Sequence, residues 1–473
     1  MSARARRTLP LLVSALAVAS LATPAVAEAH GIVGRADLPI PVWLFSWTAA
    51  IVLVVSFVAL STLWQRPQLQ LASERVILRL TAPVEWLASS IGLALFALVV
   101  YSGFAGAQVS TANFSVTFIY VIFWVGLPLL SVLFGDVFRA FSPWRTCGRA
   151  LEALMSRTRG SAPPFQYPER LGQWPAVAGI VGFAWLELVY VYKDVPSTLA
   201  ALSVGYFVVM VVGMALFGVS EWGDRADGFG AYFGLLARLA PLRRRDDGMI
   251  CLRRPLSGIT GLEVRPGTLA LIFAVIGTTT FDGFSNGGIW RNEEPGLQEL
   301  FADLGFRVTP AQELAYSLGL VLCIVLIGAV YRIGIVGVHS VSERYPSLEL
   351  RRSFAHTLVP IGFAYVLAHY FSLLLWQSQA MGYLISDPLG NGANIFGTAG
   401  YQIDYHVISY AAIWYVQVAA LLAGHVCGLA LAHDRALVLY GEPEEAVRSQ
   451  YWMLAVMVAF TSFGLWLLSS VGT

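Results

Sequence analysis

Lysine is almost missing: Lys193 is the only one in 473 residues. A phosphate-binding loop of the Gly-Lys-Ser/Thr type is therefore excluded. Charge of either sign is scarce too. Asp, Glu, Lys and Arg make up 12% of the chain, about half the ~25% usual for soluble domains. A soluble protein of this length could not cover its surface with so few charges, so lipid must cover it. The four cysteines, Cys147, Cys251, Cys323 and Cys427, form no C-x-x-C. No disulfide framework and no zinc-finger or iron–sulfur site is expected. The longest basic run is Arg243-Arg244-Arg245 and the net charge is +1, so no nucleic-acid partner is expected. Neither heptads nor a clear internal repeat is visible. Scarce lysine with abundant arginine and alanine suits a high-GC bacterial genome.

What is plentiful is apolar: 57% of the residues belong to the set AVILMFWYC. A membrane-crossing helix needs about 20 mostly apolar residues. Ten such stretches occur, near 41–64, 86–106, 113–134, 174–192, 197–219, 266–284, 311–335, 353–378, 406–432 and 450–470. They predict an all-α fold, a polytopic transmembrane helix bundle forming a single domain over 30–473. Residues 1–29 read as a signal peptide. Arg4, Arg6 and Arg7 precede the apolar run Leu9 to Leu21, and Ala27-Glu28-Ala29 is an A-x-A cleavage site. Cleavage there frees His30, whose amine and ring nitrogen can chelate copper. The plainer reading makes His30 the first residue of an exposed linker. A cut after Ala27 and an uncleaved anchor are the other two outcomes.

Charge placement orients the spans. With the mature N-terminus outside, alternation leaves 23 Lys/Arg in the cytoplasmic links and 4 outside. Such an excess is the established orientation signal. The chain is thus expected in the bacterial cytoplasmic membrane with both mature ends extracytoplasmic. The Arg243–Arg245 run becomes a topology anchor, and the links 135–173 and 220–265 are expected to be loops.

Ionisable groups at membrane depth are costly, so they are functional hypotheses. Four fall in the outer half or at the outer rim: Glu187, Asp282, His369 and His406. Tyr365, His369, Ser372 and Trp376 share one helical face, as do His406, Tyr410 and Gln417 on the next span. Two imidazoles and two carboxylates can bind a divalent metal, and a metal-activated water can hydrolyse an ester. The same groups can instead be hydrogen-bonding partners that lock helices, or line a path for protons or ions. An inner set comprises His356, His425 and His433-Asp434-Arg435. His433 is expected at a solvated helix end. His356 and His425 match in depth well enough for haem ligation to be considered. Gly283-Phe284-Ser285-Asn286-Gly287 fits G-x-S-x-G but lacks the preceding strand that the motif requires.

Several segments together carry a resemblance. They are His30-Gly31 with Asp37-Leu38-Pro39-Ile40-Pro41, Phe281-Asp282-Gly283-Phe284-Ser285, His369-Tyr370-Phe371-Ser372 with Gln377, Gly424-His425-Val426, and Ala432-His433-Asp434-Arg435-Ala436. Over nearly the whole mature chain this resembles the bacterial multi-pass proteins known as fenitrothion hydrolase. The resemblance implies hydrolysis of an organophosphate triester, a lipophilic substrate that a site in the outer half of the membrane can receive laterally. It brings no residue-level roles. The alternative function is a transporter or channel, or an accessory subunit that handles a metal.

Overall fold

The computed structural model describes residues 42–470, apart from 71, 72, 161, 246 and 342. The predicted signal peptide and His30 lie outside the described residues. The longer helices are α1 (Val42–Leu63), α2 (Ala82–Ala105), α3 (Phe114–Phe134), α4 (Pro143–Arg159), α5 (Trp174–Leu188), α6 (Pro196–Phe217), α7 (Val219–Arg225), α8 (Gly228–Ala237), α9 (Thr268–Ser285), α10 (Gly288–Asp303), α11 (Val308–Val341), α12 (Leu358–Gln377), α13 (Tyr410–Tyr440) and α14 (Tyr451–Ser470). Each predicted span coincides with one of these helices. Eight are long and apolar enough to cross a bilayer; α5 and the apolar part of α1, Trp47–Leu63, are shorter.

Burial separates inner helices from outer ones. The most apolar stretches of α9 and of the segment containing α12 are 72% and 67% buried, against 28% in α6. A helix apolar on every side can face lipid all round, so α6 needs few protein neighbours. Around the inner pair, α12 packs on α13, and α9 on α11 and α5; α1 packs on α14 and α2 on α6. The α12–α13 contact depends on two glycines. A Cβ on Gly424 would lie 2.2 Å from the Ala364 Cβ and 2.8 Å from the Pro360 carbonyl oxygen. One on Gly428 would lie 2.8 Å from the Thr357 carbonyl. This four-residue spacing of small residues is the usual device for close helix approach in lipid. Gly424→Val is expected to cost about 1–3 kcal/mol by overpacking, read as a lower unfolding temperature in detergent.

The links are more structured than expected. Strands β1 (Arg75–Arg79), β2 (Leu242–Arg244) and β3 (Met249–Leu252) form an antiparallel sheet in the order β1-β3-β2. Arg243 and Arg244 of the arginine run thus lie on a strand, paired to Glu74 at 2.8 Å and to Glu85 at 2.5 Å. Partly exposed pairs of this kind contribute about 0–1 kcal/mol, so the backbone ladder holds the sheet.

A second departure lies in 220–265, which was expected to be a loop. Here α7 and α8 make a hairpin that turns at Asp227, and α8 is almost wholly buried. The Phe229 ring lies 5.2 Å from that of Phe183, nine residues into α5, or ~14 Å along its axis at 1.5 Å per residue. Ten apolar residues cannot cross a bilayer, but they suffice for a re-entrant half-helix buried in protein. Asp227 caps it, accepting from the Phe229 backbone N–H at 3.1 Å. At the other end the buried Arg253 guanidinium donates to the carbonyls of Ala237, Arg238 and Ala240. The orphan groups at both ends of α8 thereby find partners.

Candidate functional site: a buried carboxyl–imidazole–phenol cluster

Three of the four outer residues come together. Asp282, 1% exposed, sits in the last turn of α9; His369, 5% exposed, lies in the C-terminal half of α12. His369 Nε2 is 2.9 Å from Asp282 Oδ2, and the Tyr370 hydroxyl donates to the same oxygen at 2.7 Å. An ionised carboxylate oxygen that accepts two bonds requires the His369 proton on Nε2, which leaves Nδ1 as a bare acceptor. The Asn286 side chain closes the cluster by donating to the Asp282 carbonyl at 2.8 Å.

Glu187, also buried, approaches from the last turn of α5 within electrostatic range of Asp282 and Lys193. The Trp124 indole adjoins both Glu187 and Tyr370, and its N–H makes no regular hydrogen bond. Trp124 and Tyr120 belong to Phe118–Gly126, a stretch of α3 wound with i→i+5 hydrogen bonds; the Leu127 N–H reaches the Ile122 carbonyl. Wide turns of this type recur at functional sites. Tyr120 and Tyr232 of α8 also lie near Glu187, so the half-helix helps to enclose the site.

His406 does not join them. It lies in the segment before α13 with its side chain 91% exposed, 3.9 Å from Asp404. The ninth span begins at Tyr410, because Ser409 caps it by accepting from the Ala412 N–H at 3.2 Å. The expected four-ligand site of Glu187, Asp282, His369 and His406 is therefore not formed. Among the described residues no group of three or more His, Cys, Asp or Glu is placed to hold a metal ion. Ser285 of the G-x-S-x-G sequence is on a helix, its hydroxyl donating to the Asp282 carbonyl at 3.0 Å, with no strand before it.

The inner set also differs from expectation. His433 is 1% exposed and Asp434 0%; neither is at a solvated end, because α13 continues to Tyr440. His433 Nε2 lies 2.9 Å from the Trp64 carbonyl, and Gln450 approaches its Nδ1 at 3.2 Å. Asp434 Oδ1 accepts from the Trp64 indole and from the backbone N–H groups of Gln68 and Leu69. His425 sits beside the stacked Tyr365 and Phe460 rings, 6.1 and 6.2 Å away, whereas His356 lies in the field of Arg435.

Two spaces border the cluster. One, lined by His369, Thr279, Gly283, Tyr365 and Gly464 among others, has a volume of about 10 Å³. That is the size of a single water site. The other is an apolar cleft of about 790 Å³ between α2, α3, α5 and α6. No carboxylate, imidazole or thiol is among its described lining residues. Phe183 separates the cleft from the cluster: it lines the cleft, and its ring lies 4.7 Å from Trp124. At the cleft's far end Trp144 and Tyr206 donate to Asp227 at 2.6 and 2.8 Å. Nearby, Arg145 bonds Asp224 at 2.6 Å. Burial alone would pull that guanidinium below its usual range; the Asp224 charge outweighs this and holds it above. Sequence reading missed this corner. Its one signal was Asp227-Gly228 ahead of an uncharged apolar run, the signature of a capped helix start.

No protein-family model, curated protein or solved structure matches the chain.

Proposed function

We propose that the protein is a proton-linked carrier of a lipophilic molecule. The observation that carries this reading is the separation of the buried cluster from the cleft. A hydrogen-bonded carboxyl, imidazole and phenol sit on the two most buried of the long apolar helices, behind an apolar cleft that they do not line. Buried ionisable groups in lipid mark proton or ion pathways. The cleft is the size of an ordinary small-molecule site, and lipid can supply an apolar ligand laterally. Protonation of Asp282 would remove its charge and weaken the bonds it accepts from Tyr370 and His369. The wall of Trp124 and Phe183 would transmit that change to the cleft.

The arrangement in the membrane follows the charge asymmetry. We read ten spans, the arginine-rich face in the cytoplasm, and both mature ends outside a bacterial inner membrane.

The resemblance to fenitrothion hydrolase supports a second reading, and one observation favours it. The bare Nδ1 of His369 belongs to a ring that borders a space for one water, as a general base would need. The magnitudes oppose it. A space of about 10 Å³ admits water but no ester, and the cleft that could hold an ester has no carboxylate, imidazole or thiol among its described lining residues.

One experiment separates the readings. Purified protein is reconstituted in vesicles that enclose a pH-sensitive dye, and a nitrophenyl dialkyl phosphate triester is added. A carrier gives triester-dependent proton movement with no nitrophenol. Nitrophenol release that needs His369 selects hydrolysis, and neither signal rejects both.

A further inference from the structure

We infer that a proton path runs from the Asp282–His369 cluster toward the arginine-rich face through Tyr365 and His425, between α12, α13 and α14. The inference rests on the carrier reading and adds its route.

His425 is fully buried near the middle of α13. Its Nδ1 is 2.8 Å from the Leu421 carbonyl, so Nδ1 carries the proton and donates it. Its Nε2 has no hydrogen-bonding partner in the protein. A ring that only locked helices together would use both nitrogens, since an unpaired buried acceptor destabilises the fold. The same orphaning recurs on the inner side of His425. His356 Nε2, Gln450 Oε1 and Asp434 Oδ2 are all buried and lack protein partners. Such groups are rare in folded proteins, and four within one sector require an explanation. Water between α12, α13 and α14 supplies one.

The steps are short. Tyr365 lies one helical turn inward of His369, borders the same water-sized space, and reaches within 6.1 Å of the His425 ring. Its hydroxyl donates to the Phe460 carbonyl at 3.2 Å. The close approach of Gly424 to Ala364 sets the level of His425 on α12. His369 is five residues beyond Ala364, or ~8 Å, and His433 is eight beyond His425, or ~12 Å, at 1.5 Å per residue. Bridging waters would complete the path across either gap. A proton arriving from the cluster side binds His425 at Nε2 and leaves from Nε2 toward His433, while Nδ1 keeps its own proton, donated to the Leu421 carbonyl. No bond other than N–H or O–H changes, and the ring ends neutral.

The test uses full-length protein in vesicles with an internal pH dye and a potassium diffusion potential set by valinomycin, with the nitrophenyl triester added outside. His425→Gln can still donate to the Leu421 carbonyl but takes up no proton. It is expected to lower proton flux at least tenfold, and Tyr365→Phe, which keeps the stack on Phe460, severalfold. Folded H425Q with wild-type flux, alongside silent D282N, refutes the path and leaves the carrier reading standing. If H425Q does not fold, Y365F decides: unchanged flux refutes the path. A wild-type protein that moves no protons overturns both the path and the carrier reading.

Discussion

Asp282→Asn is expected to reduce proton-linked movement at least a hundredfold while the folded yield stays at the wild-type level. Asparagine has the shape of aspartate and still offers one oxygen to Tyr370 and His369. It removes only the charge and the capacity to carry a proton. Taking an ionised group out of a buried site relieves a desolvation cost of several kcal/mol, so stability should hold or rise. The prediction therefore separates the two roles open to this carboxyl. A purely structural carboxyl would lose stability without changing flux. A relay carboxyl loses flux and keeps stability. Asp282→Ala is a harsher change, because it strands the Tyr370 hydroxyl and His369 Nε2 in the interior. Breaking a buried pair in this way costs about 3–5 kcal/mol. Thermal unfolding in detergent and flux in vesicles, measured on both variants, give the comparison.

A stability effect as large as that of Asp282→Ala is expected at Asp434. One carboxylate oxygen there accepts three hydrogen bonds, from the Trp64 indole at 3.1 Å and the Gln68 and Leu69 backbone N–H groups at 2.6 and 3.2 Å. The chain leaving α1 is held to α13 through this group, beside the contact of His433 Nε2 with the Trp64 carbonyl. Asp434→Ala leaves three donors unpaired, at about 1–3 kcal/mol each, and backbone donors cannot turn away to find water. A loss of about 3–5 kcal/mol is expected, larger than for Gly424→Val, with α1 becoming the first part of the described chain to yield to protease. Asp434→Asn keeps one acceptor oxygen and should fall between alanine and wild type. An alanine variant with an unchanged unfolding midpoint would mean that this contact does not hold α1.

Much of this architecture was legible in the sequence because lipid imposes a simple rule: long uncharged stretches become helices. For the same reason Glu187, Asp282 and His369 stood out, since a charge within such a stretch demands a partner. The rest of the cluster was not legible. Tyr370 and Trp124 are ordinary residues of apolar spans, and only packing shows that both adjoin the carboxyls. His406 was misplaced because hydropathy does not locate helix ends to a residue. The Ser409 cap three residues before Ala412 was the local signal that would have excluded it. His433 and Asp434 failed for the opposite reason. A span of ordinary length from 406 ends near them, but α13 begins later and extends to Tyr440, so they remain inside. The half-helix α8 fell below the length that marks a span, and the sheet was hidden within arginine-rich links.

The most direct test of the account is the pH signal inside vesicles when the nitrophenyl triester is added to wild-type protein and to D282N. Triester-dependent proton movement in wild type, absent in D282N and without nitrophenol, is the predicted result. Identical traces from the two proteins, or nitrophenol released in proportion to protein, would contradict it.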